Sequence, residues 1–229
     1  MPSPRGHVKA TTPRSLTSQV TNILREEIVA GDLVPGDMIA EIPTSLRLGV
    51  SRLPVREATS ILEREGLLVL EGRGRRRVRS LEPQDLREIL DIRLVLEPKL
   101  SGLAAEFRAQ EDLEALEANL EKLKKTSRLS QVSILDLEFH ELIATASRHS
   151  RLAHMWRVMR GQIQLFTAEV QRRQQSKAQS VRDGTAKNHA TILKFIRLQD
   201  AQGVAAFIAT ELQNWKEYLG SLLPAEATG

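Results

Sequence analysis

The stretch Ser51–Gly66, SRLPVREATSILEREG, constrains the fold more than any other part of this chain. Ser51 is a favourable N-cap, and Pro54 falls in the first turn, where a missing N–H costs nothing because those donors have no partner within the helix. Val55, Ala58, Ile61 and Leu62 follow at three- and four-residue steps and form one apolar stripe, and Gly66 suits the left-handed residue that ends a helix. Arg52 and Arg56 sit one turn apart on the other side, near the helix N-terminus, where a positive charge opposes the helix dipole. Their presence calls for a partner outside the helix, and phosphates and guanine edges supply one.

The flanks extend this reading. Leu46, Leu48, Gly49 and Val50 read as a helix end, a glycine turn and an apolar plug before Ser51, the layout of a helix-turn-helix. Leu67–Glu71 and Arg75–Arg79 are β-compatible runs joined by Gly72-Arg73-Gly74, a hairpin that carries Arg73, Arg75, Arg76, Arg77 and Arg79 and reads as a basic wing. Upstream, Ser15 or Thr17 can cap a helix running to about Ala30, with Val20, Ile23, Leu24 and Ile28 on its core face and Gly31 at its end. Val34-Pro35-Gly36-Asp37 is a turn, Met38 and Ile39 suit a short strand beside the wing, and Pro43 suits an N1-like position in the next helix. Residues 1–14, with three prolines, read as a flexible tail.

Charge is distributed unevenly. Residues 1–80 hold 13 Lys and Arg against 9 Asp and Glu, while the remainder holds 20 of each, so the whole net charge of +4 lies with the helix-turn-helix. That is the footprint of a nucleic-acid-binding domain joined to a neutral one. Cysteine is absent, which excludes disulfides, thiolate metal sites and cysteine nucleophiles. No run approaches the roughly 18 to 20 apolar residues of a membrane span, and the first residues lack the apolar core of a signal peptide, so no membrane partner and a cytoplasmic location are expected.

Ser80-Leu81-Glu82-Pro83 reads as a linker, with Pro83 opening a helix, and the rest of the chain is helical in pattern. Apolar residues recur at helical steps through Leu86, Ile89, Leu90, Leu94 and Leu100, then Leu113 to Leu123, and on to Val204, Phe207, Ile208 and Leu212. The expected architecture is mainly α: a tail (1–14), a winged helix-turn-helix of three helices and a small β-hairpin (15–80), and an antiparallel all-α bundle of about six helices (81–223). In the bundle, Asp136 and His140 are four residues apart and so point the same way on a helix, able to share an ion or to form a surface pair. His7, His149 and His154 lack matching partners and read as surface histidines.

Two resemblances sharpen the picture. IVAGDLVPGDMI (Ile28–Ile39), LGVSRLPVREA (Leu48–Ala58), EREGLL (Glu63–Leu68) and the glycine-bearing wing resemble the winged domain of the GntR family of bacterial transcription regulators. The resemblance implies a homodimer on a palindromic DNA operator, with Arg52, Leu53 and Arg56 facing the major groove, Gly74 at the wing tip near the minor groove, and Ser51, Arg73, Arg75 and Arg76 as further DNA-binding residues. Leu53 stands where the family usually has a hydroxyl residue, and Ile42 where some members have an arginine. The second half, through IRLVLEP (Ile92–Pro98), DLEFH (Asp136–His140), NHATI (Asn188–Ile192) and Asp200, resembles the FCD-type effector-binding bundle of the FadR subfamily. That resemblance implies a divalent metal (zinc, nickel or manganese) held by Asp136, His140 and His189, with Glu211 as the fourth ligand. Glu211 stands in place of a further histidine. The resemblance also implies a small-molecule metabolite effector with Arg93 facing it, a guanidinium suited to a carboxylate; a salt bridge from Arg93 to Glu97 is the alternative.

The function expected is a sequence-specific transcription regulator, most often a repressor in such a family, whose operator affinity an effector controls; it is not an enzyme. Two other classes compete. A metal-dependent hydrolase fused to a DNA-binding domain would use the same four ligands to activate water, but the sequence offers no further general base, nucleophile or phosphate loop. An architectural DNA-binding dimer without effector would leave the polar cavity residues without a use.

Overall fold

A computed structural model describes residues 15–72, 75–173 and 177–222; the expected tail, Arg73 and Gly74 lie outside the described residues. Helix α1, Leu16–Ala30, starts where Ser15 accepts a hydrogen bond from the Ser18 N–H at 3.2 Å and ends at Gly31 with φ 86°. Its buried stripe is Val20, Leu24 and Ile28; Ile23, expected there, is 41% exposed because it lies at the edge of that stripe. Helix α2 is Glu41–Leu48 and α3 is Arg52–Arg64, separated by a turn in which Gly49 has φ 65°. Pro43 occupies the third helical position of α2, not the first, still within the turn whose N–H groups have no intrahelical acceptor.

Strands β1 (Met38–Ile39), β2 (Leu68–Glu71) and β3 (Arg75–Val78) form an antiparallel sheet in the order β1-β3-β2, pairing Ile39 with Arg76 and Leu70 with Arg76 on either side. Val55, Ala58, Leu62, Leu67, Leu68 and Val78 close with the α1 stripe into one core.

Six helices follow: α4 (Pro83–Phe107), α5 (Gln110–Lys125), α6 (Leu129–Ala146), α7 (Ser150–Arg173), α8 (Ala178–Arg197) and α9 (Ala201–Leu222). Glu82 and Asp85 form a reciprocal capping box at the start of α4, with Pro83 as the first helical residue. Helix α4 runs along α9 and also touches α6, α7 and α8, so it is the central element of the bundle. A second core, with Phe139, Trp156 and Phe166 as its largest members, fills the bundle.

The two cores meet. Leu165 of α7 is buried in the core of the winged unit, and Leu81 packs against both cores. Helix α7 approaches the end of α3 so closely that the Gly161 N–H donates to the Glu65 carbonyl at 2.7 Å, and a Cβ on Gly161 would collide with that carbonyl. Around this contact Arg25 of α1 donates to Glu65 at 2.6 Å, and Arg160 of α7 reaches Glu141 of α6 at 2.9 Å.

Candidate functional site

The surface of the winged unit presents the recognition helix. Arg52, Leu53 and Arg56 are all exposed, consistent with the sequence pattern. Ser51 takes the N-cap position, but its side chain makes no capping hydrogen bond. One of the two usual targets of such a cap, the N–H of the third helical residue, is missing because that residue is Pro54. Arg56 is held in a fork by Glu41 of α2, Nε to Oε1 at 3.0 Å and Nη2 to Oε2 at 3.1 Å, and Arg52 reaches the same carboxylate at 3.6 Å.

The wing arginines divide into two sets. Arg75 is exposed, as a DNA contact must be. Arg76, expected on the DNA side, is instead half-buried: its guanidinium donates to Glu63 at 2.7 Å and to the Ser60 hydroxyl at 2.9 Å, tying the wing to α3. The strand pairing decides this, because alternate residues of β3 face opposite sides of the sheet and Arg76 falls on the side that packs against the recognition helix. Arg79 likewise turns inward, onto the Gly66 carbonyl at 2.8 Å.

Inside the bundle lies a cavity of about 400 Å³ lined by α4, α6, α7, α8 and α9. Asp136 and His140 enter it from α6 and His189 from α8, and one donor atom from each lies within 4.8 Å of the others. His189 Nε2 is 3.0 Å from Asp136 Oδ1, and its ring stacks on Phe139 with centroids 3.8 Å apart. His189 Nδ1 has no partner among the described residues, so Asp136 and the Phe139 face fix this ring. Two imidazoles and a carboxylate in one cluster, with His189 buried and Asp136 and His140 half-buried, are a fitting donor set for a divalent ion.

Glu211 lines the same cavity but does not join this cluster, because its carboxylate accepts a hydrogen bond from Asn188 at 2.5 Å. Arg93 is buried and points into the cavity, with Nε donating to Glu97 Oε1 at 2.8 Å and Nη2 to Oε2 at 3.3 Å. Arg93 therefore both lines the cavity and pairs with Glu97. Glu97 also accepts from Trp156 Nε1 at 3.3 Å and lies 3.6 Å from His140 Nδ1, joining the guanidinium to the histidine cluster.

The electrostatics follow from this packing. Burial pushes the Asp136 carboxyl up, but the hydrogen bond with His189 and the charges of His140, His189 and Arg93 bring it down to about 2. Burial also raises Glu97, and Arg93 with His140 and Trp156 outweighs it, holding the carboxyl below its ordinary range. His189 is pushed down by burial, more than its bond with Asp136 raises it. Three lining carboxylates, Glu97, Asp136 and Glu211, face the single guanidinium of Arg93 among the described lining residues, an imbalance that one divalent cation would neutralise.

Sequence reasoning did not single out Asn188, Trp156 or Glu41 for these roles. Asn188 was legible only as the neighbour of His189, and Glu41 only as an acid in the first turn of α2.

Residues 16–78 match the bacterial regulatory proteins of the gntR family, and residues 88–214 match the FCD domain. The HTH-type transcriptional regulator YdhC of Bacillus subtilis (strain 168) is 32% identical over 151 residues, covering 64% of this chain and 67% of that protein. The gluconate operon transcriptional repressor of Bacillus licheniformis is 28% identical over 180 residues, covering 77% of this chain and 74% of its own length. Among solved structures, E. coli McbR/YncC is similar with a TM-score of 0.69 at 26% identity, covering 91% of this chain and 98% of that one. No described helix is long and apolar enough to cross a membrane. The chain belongs to the GntR family of bacterial regulators, as a member carrying an FCD domain, and is a DNA-binding transcription regulator rather than an enzyme.

Proposed function

We propose that this regulator binds a palindromic operator in double-stranded DNA as a cytoplasmic homodimer, and that a small carboxylate metabolite in the bundle cavity controls that binding. The observation that carries the control is the dual placement of α7: Phe166 and Thr167 line the cavity, while Gly161 and Leu165 seat the winged unit. An occupant that shifts α7 changes the placement of α3, and in a dimer it changes the fit of two recognition helices to half-sites about one helical turn apart. Repression is the proposed direction, supported by relatives named as repressors.

At the DNA, Arg52 and Arg56 present donors to base edges. Leu53 presents methyl groups suited to a thymine methyl, and Ser51 and Arg75, both exposed, would meet phosphates. In the cavity, Asp136, His140 and His189 would hold zinc, nickel or manganese. The bound ion would supply an open coordination position to an effector oxygen. Arg93 offers the effector the Nη1 end that Glu97 does not take. For the dimer, Ile92 and Val95 on α4 and Met155 and Val158 on the neighbouring α7 are exposed apolar side chains that a second copy would cover.

The test is binding of a duplex selected from a randomised library, with metal-loaded and metal-free protein, across a panel of small carboxylates. Release from the selected duplex by one of them, with no release of scrambled DNA, is expected. No response to any carboxylate in either state would remove the effector reading.

A further inference from the structure

We infer that Glu41 is a positioning residue for sequence readout, holding Arg56 so that its free edge meets a guanine instead of swinging to a backbone phosphate. The inference rests on the reading that Arg56 faces the major groove.

Glu41 opens α2, and its carboxylate spans the turn to α3, where it takes Nε and Nη2 of Arg56 in parallel at 3.0 and 3.1 Å. Arg52 approaches the same carboxylate at 3.6 Å, so one acid serves both arginines of the recognition helix. Arg56 and Arg52 keep about half of their side-chain surface exposed, 54% and 59%. An ion pair this exposed adds little to folding stability, so its geometry calls for another use.

That use follows from the shape of the guanidinium. With the Nε–Nη2 edge taken, the remaining edge keeps two N–H groups in one plane, the pattern that matches O6 and N7 of guanine. The side chain is ordered before DNA arrives, so binding loses less rotamer freedom. The carboxylate also places a negative charge beside the arginine, which penalises any pose that brings a phosphate to the same spot. The paired shifts agree: Glu41 is held below its ordinary value chiefly by the hydrogen bond from Arg56, and Arg56 is raised chiefly by the same bond.

The experiment uses the full chain and a randomised duplex library, from which parent-selected sequences define base preferences. Arg56→Ala should erase the preference at one symmetry-related base pair. Glu41→Gln and Glu41→Asp should lower the guanine preference at that same pair about tenfold, the scale of one good arginine–guanine contact. Glu41→Gln should also bind scrambled duplex more tightly, because a negative charge near phosphates is gone. Glu41→Asp keeps the negative charge at the start of α2 and so decides the matter if Glu41→Gln fails to fold. Unchanged preference at that pair in the folded Glu41 variants, or equal weakening on selected and scrambled DNA, overturns the inference while the reading of Arg56 stands. Unchanged preference in Arg56→Ala overturns both.

Discussion

The Gly161 N–H donates to the Glu65 carbonyl at 2.7 Å, so a backbone hydrogen bond between α7 and the end of α3 joins the effector bundle to the recognition helix. The bond is short because Gly161 has no side chain, and Gly66 next to Glu65 adopts φ 81°, which turns the chain away beneath α7.

Gly161→Ala should therefore break this seat. The added methyl collides with backbone, which cannot rotate aside, and overpacking of this kind costs about 1–3 kcal/mol. Calorimetry should show the melting temperature falling and the winged unit separating as its own transition. A single unshifted transition would show that the contact bears no load.

Arg76 and Arg75 should behave oppositely. Arg76→Ala removes charge-assisted hydrogen bonds to Glu63 and Ser60 and should lower the stability of the winged unit by about 1–2 kcal/mol. Arg75→Ala should leave stability unchanged and weaken binding to all DNA sequences alike, with a shallower salt dependence. Melting curves and salt titrations of both variants separate the roles.

Metal binding should follow the three-residue cluster. His140→Ala and His189→Ala should abolish zinc or nickel uptake, and a chelator should lower the melting temperature of the parent because an ion bound only by the folded bundle stabilises it by mass action. Glu211→His should tighten zinc or nickel, because it replaces a carboxylate that Asn188 holds away from the cluster with a third imidazole lining the same cavity. Calorimetric titration of zinc and nickel into each variant checks this; a parent that takes up no ion and shows no melting shift would leave a polar cavity.

Acid should destabilise the metal-free bundle. Burial holds His189 below its ordinary value, so the unfolded chain takes up a proton more readily; the contribution is intact above about pH 6.5 and falls as pH drops below it. Asp136, held at about 2 against an ordinary 3.8, stabilises the fold above about pH 3.8 and loses that contribution as pH falls toward 2. Melting in chelator at about pH 7.5 and about pH 5.5 should show the drop, flattened in His189→Gln. A rise at the lower pH would mean that an imidazolium–Asp136 pair outweighs burial.

Val95, 73% exposed on α4, should lie in the dimer contact. Val95→Glu should shift sedimentation toward monomer and weaken operator binding steeply, with the monomer's melting little changed. An unchanged sedimentation coefficient would place the dimer contact elsewhere.

Much of this protein was legible one residue at a time. The α3 stripe, the glycines at 31, 49 and 66, the capping serine at 15 and Pro83 at the head of α4 act through local backbone preference and helical period, which depend only on near neighbours in the chain. Asp136 and His140 were paired by the same logic. What the tertiary structure decided are the contacts between segments far apart in sequence. Arg76 turned inward because β3 packs on α3, Glu211 went to Asn188 and not to the histidine cluster, and the local Arg93–Glu97 pair met His140 and Trp156 across the bundle. Glu41 was matched to Arg56, and Gly161 to Glu65, only when the helices docked. In each case the partner is chosen by which side of a helix or strand faces a neighbour, and local pattern identifies the buried side without identifying what covers it.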